Sequence, residues 1–120
     1  MKKTLVLGAS PNPARYAYLA VRRLKLLGHE VVAVGAKEGN IDGVPILTGM
    51  PPLEDIHTVT LYLNPFRQTE YYDYILGELK PARLIFNPGT ENYAFMHRAK
   101  LEGVEVLEAC TLVMISTGEY

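Results

Sequence analysis

The sequence contains a single cysteine, Cys110, and no tryptophan among its 120 residues. A lone cysteine cannot form an internal disulfide, and no Cys and His residues occur at the spacing of a zinc site. We therefore expect neither a disulfide framework nor a structural metal. Because chains without disulfides are typical of reducing compartments, we also expect a cytoplasmic location.

A surplus of positive charge and long apolar runs are also lacking. The 12 Lys and Arg residues against 13 Asp and Glu give a formal net charge of −1. A protein that binds a nucleic acid backbone needs a surplus of Lys and Arg, so we expect no nucleic acid partner. The apolar stretch after Met1 ends by Ala9, which is too short for a signal peptide core or a membrane span, so no membrane association is expected. Any anionic ligand must be held by a local arrangement of residues.

The composition that remains, 48% hydrophobic and 21% charged, is that of a folded globular chain, and its length predicts one domain over residues 1–120. Residues 4–8 form a short apolar segment typical of a strand that is buried on both faces. Residues 13–27 carry apolar side chains at three- and four-residue steps, which predicts an amphipathic helix. The further predicted strands are 31–34, 44–47 (a short edge strand), 58–63, 84–86 and 104–107, and the further helices are 65–79 and 91–102.

This alternation predicts an α/β fold with a doubly wound, mainly parallel sheet in a Rossmann-like three-layer α/β/α arrangement. The first helix has recognisable ends. Asn12 is a suitable N-cap with Pro13 at the first helical position, and Gly28 can close the helix in the left-handed conformation.

Ligands of such sheets bind outside the carboxyl ends of the strands. Three Asn-Pro pairs, at Asn12, Asn64 and Asn87, each follow a predicted strand and so mark one rim of the sheet. Asn-Pro pairs also simply start helices and turns, so the pattern gives a location rather than a chemistry.

The turn after the first strand, residues 8–13, has the features of a phosphate-binding turn. Gly8 allows a sharp bend, Ser10 can donate a hydroxyl to a phosphate oxygen, and the following helix offers free N–H groups. Of the dinucleotide fingerprint Gly-x-Gly-x-x-Gly only Gly8 is present, which disfavours a standard NAD site. The alternative is a tight turn capped by Asn12 that binds no ligand.

The end of the second strand supports a phosphorylated ribose. An NAD site usually has an acidic residue there, whereas this chain has Gly35, Ala36 and Lys37. A lysine in place of an acid suits either the 2′-phosphate of NADP or the 3′-phosphate of coenzyme A. A solvated surface lysine is the alternative.

Taken together, these features resemble the small, free-standing CoA-binding domain family, which is related to the Rossmann-like CoA-binding domain of succinyl-CoA synthetase. The matching positions are Gly8, Ala9, Ser10, Pro13, Arg15, Tyr18, Gly28, Lys37, Gly43, Pro45, Asn87, Gly89, Asn92 and Cys110. The resemblance implies that the CoA diphosphate lies on the Ser10 turn and the 3′-phosphate near Lys37. It also implies that the adenosine lies between the first two strand ends.

The chain departs from the family pattern at two positions. Leu63 and Ala109 stand where arginines are common in the family. Arg15 and Arg67 are the cations that could compensate. The predicted ligand-binding residues are Gly8, Ala9, Ser10, Pro11, Asn12, Pro13, Arg15, Tyr18, Gly35, Lys37, Asn64, Asn87 and Gly89.

No histidine lies near a Cys, Ser or acid at a spacing typical of a nucleophile and its base, so no catalytic residue is predicted. We expect a non-catalytic carrier or sensor that binds CoA or an acyl-CoA. The alternatives are an NADP-binding redox protein or sensor and an interaction module that has lost its nucleotide. Cys110 is either a small buried residue or a thiol near the pantetheine arm. Tyr71, Tyr72 and Tyr74 lie on one predicted helix and cannot all face the protein core, so we expect at least one of them to be exposed. Because exposed tyrosines are common at interfaces, a homodimer is also expected.

Overall fold

The computed structural model describes residues 1–120, which form seven strands and four α-helices. The strands are β1 (Thr4–Ala9), β2 (Val31–Gly35), β3 (Gly39–Ile41), β4 (Val44–Leu47), β5 (Thr58–Leu61), β6 (Arg83–Phe86) and β7 (Glu105–Glu108). The α-helices are α1 (Tyr16–Leu26), α2 (Pro65–Gln68), α3 (Tyr93–Leu101) and α4 (Thr111–Thr117). No helix is both long and apolar enough to cross a membrane.

The strands form one sheet in the order β3-β4-β2-β1-β5-β6-β7, parallel except for the β3–β4 pair. Successive residues of β1 alternate between two apolar clusters, one on each face of the sheet. Helices α1 and α4 contribute to the cluster around Val6, whereas α3 and residues 74–79 contribute to the cluster around Leu5. This three-layer arrangement confirms the predicted fold class. The chain crosses from one side of β1 to the other between β4 and β5, which places the topological switch point beside β1.

The prediction that Val44–Leu47 is an edge strand is wrong, because β3 covers its outer side. Asp42 and Gly43 both have positive φ angles, 47° and 88°, and form the two-residue turn of a β3–β4 hairpin. Pro45 lies opposite Asn40 in β3, ahead of Ile46, where pairing with β2 begins. Proline is therefore tolerated here, although β4 is not at the edge.

The first helix begins later than predicted, at Tyr16 rather than Pro13. Asn12 is not its N-cap, because the Asn12 side chain accepts a hydrogen bond from the Ala14 amide (3.0 Å) and closes a local turn. Arg15 occupies the N-cap position. The predicted C-terminus is confirmed, since Gly28 has a φ angle of 90° and its amide donates to the Lys25 carbonyl.

The predicted helix over residues 65–79 is broken into three segments: α2, a 3₁₀ turn (Thr69–Tyr71) and a π-helical segment (Tyr74–Leu79). All three tyrosines of this irregular segment are at least partly covered. Tyr74 is buried, and Tyr71 and Tyr72 are half-buried. The expectation of an exposed tyrosine on this segment is therefore wrong, and the homodimer based on it stays a prediction.

Helix α4 was not expected from the sequence. It follows β7 directly, begins at the buried Thr111 and ends at Gly118, whose φ angle is 77°. Seven residues are too few for a clear helical period, which explains why the pattern did not predict it. Its Met114 covers the same sheet face as α1.

Candidate functional site

A cavity of about 650 Å³ opens at the carboxyl ends of β1, β2, β5 and β6, beside the switch point. Its volume is within the range of pockets that hold small molecules and cofactors. We call it the rim cavity. Its wall consists of Leu7, Gly8, Ala9, Ser10, Pro11, Arg15, Tyr16, Ala17, Val34, Gly35, Ala36, Lys37, Tyr62, Leu63, Asn64, Arg67, Tyr71, Pro88, Gly89 and Thr90.

Two glycines let the backbone segments of the floor approach each other. Gly8 has a φ angle of 99°, and a Cβ atom there would lie 2.8 Å from the carbonyl carbon of Tyr62. A Cβ atom on Gly35 would lie 2.1 Å from the carbonyl oxygen of Ala9. Because both neighbours are backbone atoms, neither can move aside cheaply. Only glycine fits at these two positions, so the geometry of the first turn depends on them.

The first turn and the start of α1 present hydrogen-bond donors to the cavity. The Ser10 hydroxyl oxygen accepts from the Asn12 amide (3.1 Å), which leaves the hydroxyl hydrogen available to a ligand. The amides of Tyr16 and Ala17, at the beginning of α1, donate to no group of the protein. Both residues lie in the wall, so this end of the helix favours an anion.

Three cations and no acidic residue line the rim cavity. Arg15, Lys37 and Arg67 all lie in the wall, and none of them forms an ion pair. The cations that do form ion pairs are Lys3, Arg22 and Arg98, and all three lie outside the cavity. A wall with three unpaired cations and no carboxylate attracts a ligand that carries several negative charges.

Aromatic side chains form part of the apolar wall. Tyr16 is 71% exposed, and the rings of Tyr62 and Tyr71 lie deeper. Burial raises the pKa of the Tyr62 phenol, and its hydroxyl has no hydrogen-bond partner within the protein. Burial likewise raises the pKa of Tyr71. Both phenols are therefore neutral at physiological pH and add no negative charge to the cavity.

The buried amide of Asn87 fastens the ends of β5 and β6 below the cavity. Its Nδ2 donates to Thr60 Oγ1 (2.6 Å) and to the Leu61 carbonyl (2.9 Å), while its Oδ1 accepts from the Thr111 amide (2.8 Å). Asn87 therefore holds the sheet and α4 together and does not reach the wall of the cavity.

Most of the predicted ligand-binding residues lie in the wall: Gly8, Ala9, Ser10, Pro11, Arg15, Gly35, Lys37, Asn64 and Gly89. Four do not. Asn12 and Pro13 form the turn that precedes α1 and are exposed, Tyr18 packs on the apolar cluster beneath α1, and Asn87 is buried below the cavity.

No pattern in the sequence pointed to Tyr71 as a wall residue, and it lies on the segment 65–79 that does not form one regular helix. Thr90 was also missed, although it follows the predicted Gly89 directly. Leu63 stands where the family commonly has an arginine, and it lies in the wall. Ala109 and Cys110 do not lie in the wall. They line a smaller depression with Val113.

Comparison with known proteins places these observations in context. A family model described as a CoA-binding domain matches residues 2–116. A crystal structure of an uncharacterized protein is 52% identical, with a TM-score of 0.96, and the match covers 100% of this chain and 98% of the other. A search of curated proteins found no match.

Two more distant structures share the fold. A hypothetical protein from Pyrococcus horikoshii OT3 is 23% identical, with a TM-score of 0.86, and the match covers 97% of this chain and 82% of the other. A structure from Thermus thermophilus is 21% identical, with a TM-score of 0.85 and coverage of 99% and 90%. At these identities the similarity concerns the fold alone.

Proposed function

The chain belongs to the CoA-binding domain family, and from this premise we propose that it binds coenzyme A or an acyl-CoA in the rim cavity as a non-catalytic carrier or sensor. The observation that carries the proposal is the wall with three unpaired cations and no acidic residue. CoA carries three phosphate groups, two in its diphosphate and one on the ribose. A wall of this charge suits it better than it suits NAD, which has only the diphosphate.

The residues of the wall divide naturally between the parts of this ligand. The Ser10 hydroxyl and the free amides of Tyr16 and Ala17 would hold the diphosphate, because amides at a helix start bind phosphate oxygens. Lys37, at the end of β2, would hold the ribose phosphate. The open ring of Tyr16 offers a surface for the adenine.

The absence of a nucleophile paired with a base in the wall supports a carrier or sensor over an enzyme. Cys110 lies outside the wall, so the proposal assigns it no role toward the CoA thiol. Binding energy would come from charge-assisted hydrogen bonds to the phosphates and from burial of the adenine.

The proposal is tested by isothermal titration with CoA, dephospho-CoA, NADP and NAD at one fixed salt concentration. We expect CoA to bind and the variant Lys37→Ala to lose about 1 kcal/mol or more, the value of a charge-assisted phosphate contact. Dephospho-CoA should lose a similar amount on the original protein and nothing further on the variant. Lys100→Ala is the matched control, since Lys100 is an exposed lysine of α3 outside the cavity.

Each rival function has its own outcome in the same titration. A preference for NADP over CoA would favour a redox protein or sensor. If none of the four compounds binds at millimolar concentration, Leu63 in place of an arginine becomes the decisive departure. The chain is then an interaction module that has lost its nucleotide.

A further inference from the structure

One buried side chain, that of Gln68, connects the two loops that form one side of the rim cavity. Gln68 is the last residue of α2 and is completely buried. Its Nε2 donates to the Leu63 carbonyl (2.8 Å) and to the Thr90 carbonyl (2.8 Å). Its Oε1 accepts from Nδ2 of Asn92 (3.0 Å), so both ends of the amide are used.

The partners of Gln68 belong to different loops. Leu63 precedes α2 and Thr90 precedes α3, and both lie in the wall of the cavity. Asn92 is itself fixed, because its Oδ1 accepts from the Phe95 amide and caps α3. No other hydrogen bond joins residues 62–68 to residues 88–92.

The same side chain fixes the turn that carries Arg67. Helix α2 has only four residues and continues into a 3₁₀ turn and a π-helical segment, so regular helical hydrogen bonding does not hold it over several turns. Arg67 directly precedes Gln68 and has no ion-pair partner of its own. The Arg67 amide donates to Asn64 Oδ1 within the same turn, and the neighbouring Gln68 side chain connects that turn to the loop before α3.

We propose that Gln68 is a positioning residue that locks the two loops into one wall and holds Arg67 toward a bound phosphate. Gln68 does not line the cavity, so it acts on a ligand only through Leu63, Thr90 and Arg67. The part of this inference that concerns the ligand rests on the proposed function, whereas the coupling of the loops does not.

The coupling is tested without ligand by amide hydrogen exchange on Gln68→Met and on Asn92→Asp. The second variant keeps the cap of α3 through Oδ1 and removes Nδ2, which donates to Gln68 Oε1 and to the Tyr72 hydroxyl. The Tyr72 hydroxyl can instead donate to the new carboxylate, so the bond lost without replacement is the one to Gln68. The reporting amides are Arg67, which donates to Asn64 Oδ1, and Thr90, which donates to the Asn87 carbonyl. We expect exchange in both loops to become about tenfold faster together, as for the loss of a buried hydrogen bond.

The control for general destabilisation is Thr4→Val. Thr4 is buried at the amino end of the central strand β1, away from the rim cavity, where its hydroxyl bonds to that of Tyr120. Thr4→Val should leave the exchange rates of the two loops, relative to those of the rest of the chain, unchanged. If Gln68→Met and Asn92→Asp accelerate exchange in one loop only, or no more than Thr4→Val does, the coupling is refuted.

The ligand part is tested by CoA titration of Gln68→Met, Arg67→Ala and the double variant. We expect Gln68→Met to bind CoA about tenfold more weakly than the original protein does. The double variant should bind CoA only slightly more weakly than Arg67→Ala alone, because both changes remove the same contact, that of Arg67 with the phosphate. The salt dependence of CoA binding should fall equally in both single variants. A general loss of stability would change neither additivity nor salt dependence.

The outcomes separate the two proposals. Additive losses, or a salt dependence of Gln68→Met equal to that of the original protein, overturn the positioning of Arg67. If the original protein binds no CoA, the proposed ligand is wrong, and the hydrogen exchange result alone decides whether Gln68 couples the loops.

Discussion

The substitution Gly8→Ala addresses the physical basis of the first turn. Gly8 has a φ angle of 99°, a conformation that costs a residue with a side chain about 1–3 kcal/mol. The new Cβ atom would also lie 2.8 Å and 2.9 Å from backbone atoms of Tyr62, which adds about 1–3 kcal/mol of overpacking. We therefore expect a loss of about 2–6 kcal/mol in the free energy of unfolding, measured by urea denaturation, together with loss of CoA binding.

Gly89→Ala is the matched control for the backbone term. Gly89 has a similar φ angle of 91°, but a Cβ atom there has no neighbour within 4 Å. It should lose only the conformational part, about 1–3 kcal/mol. The difference between the two variants isolates the close approach of β1 to Tyr62. Equal losses in Gly8→Ala and Gly89→Ala would refute the argument that the turn requires glycine for packing.

Two further predictions concern Asn87, which follows β6, and the histidines that precede β2 and β5. Asn87→Ala removes the hydrogen bonds to Thr60, Leu61 and Thr111 and should lower the free energy of unfolding by about 2–5 kcal/mol, whereas the exposed Asn12→Ala should cost less than about 1 kcal/mol. Similar losses in both would contradict the conclusion that the Asn87 side chain holds β5, β6 and α4 together. Burial, with nearby positive charges, lowers the pKa of His29 and His57 below 6.5, so the unfolded chain binds more protons just below that pH. Stability should therefore fall as the pH drops through 6.5, and His→Gln changes at both positions should flatten that part of the urea-measured profile. If the profile is unchanged in these variants, the two histidines do not cause the fall in stability.

The sheet could be predicted because its strands are short apolar segments between turn residues, and such segments have few other folded environments. Strand β3 was missed because Gly39 and Asn40 are poor strand residues on their own. The pair Asp42-Gly43 does contain the signal of a two-residue hairpin. The errors within the sheet therefore concern β3 and its partner β4, which are stabilised by pairing with each other rather than by local preference alone.

The location of the rim cavity was predictable for a related reason. Strand ends and turns are local in sequence, and Gly8, Ser10 and Lys37 follow directly from them. Tyr71 and Gln68 depend on the irregular pitch after α2, which no periodicity reports. Tyr18 was predicted as a ligand-binding residue by resemblance, and it packs on the apolar cluster beneath α1 rather than in the wall of the cavity.

The most direct measurement is a two-dimensional ¹⁵N–¹H NMR titration of the protein with CoA. The account predicts that the largest shifts occur at the amides of Gly8, Ser10, Tyr16 and Ala17, the donors and the turn that face the rim cavity. Smaller shifts should follow at Lys37 and around Thr90. Shifts confined to the depression around Cys110, or no shifts at saturating CoA, would contradict it.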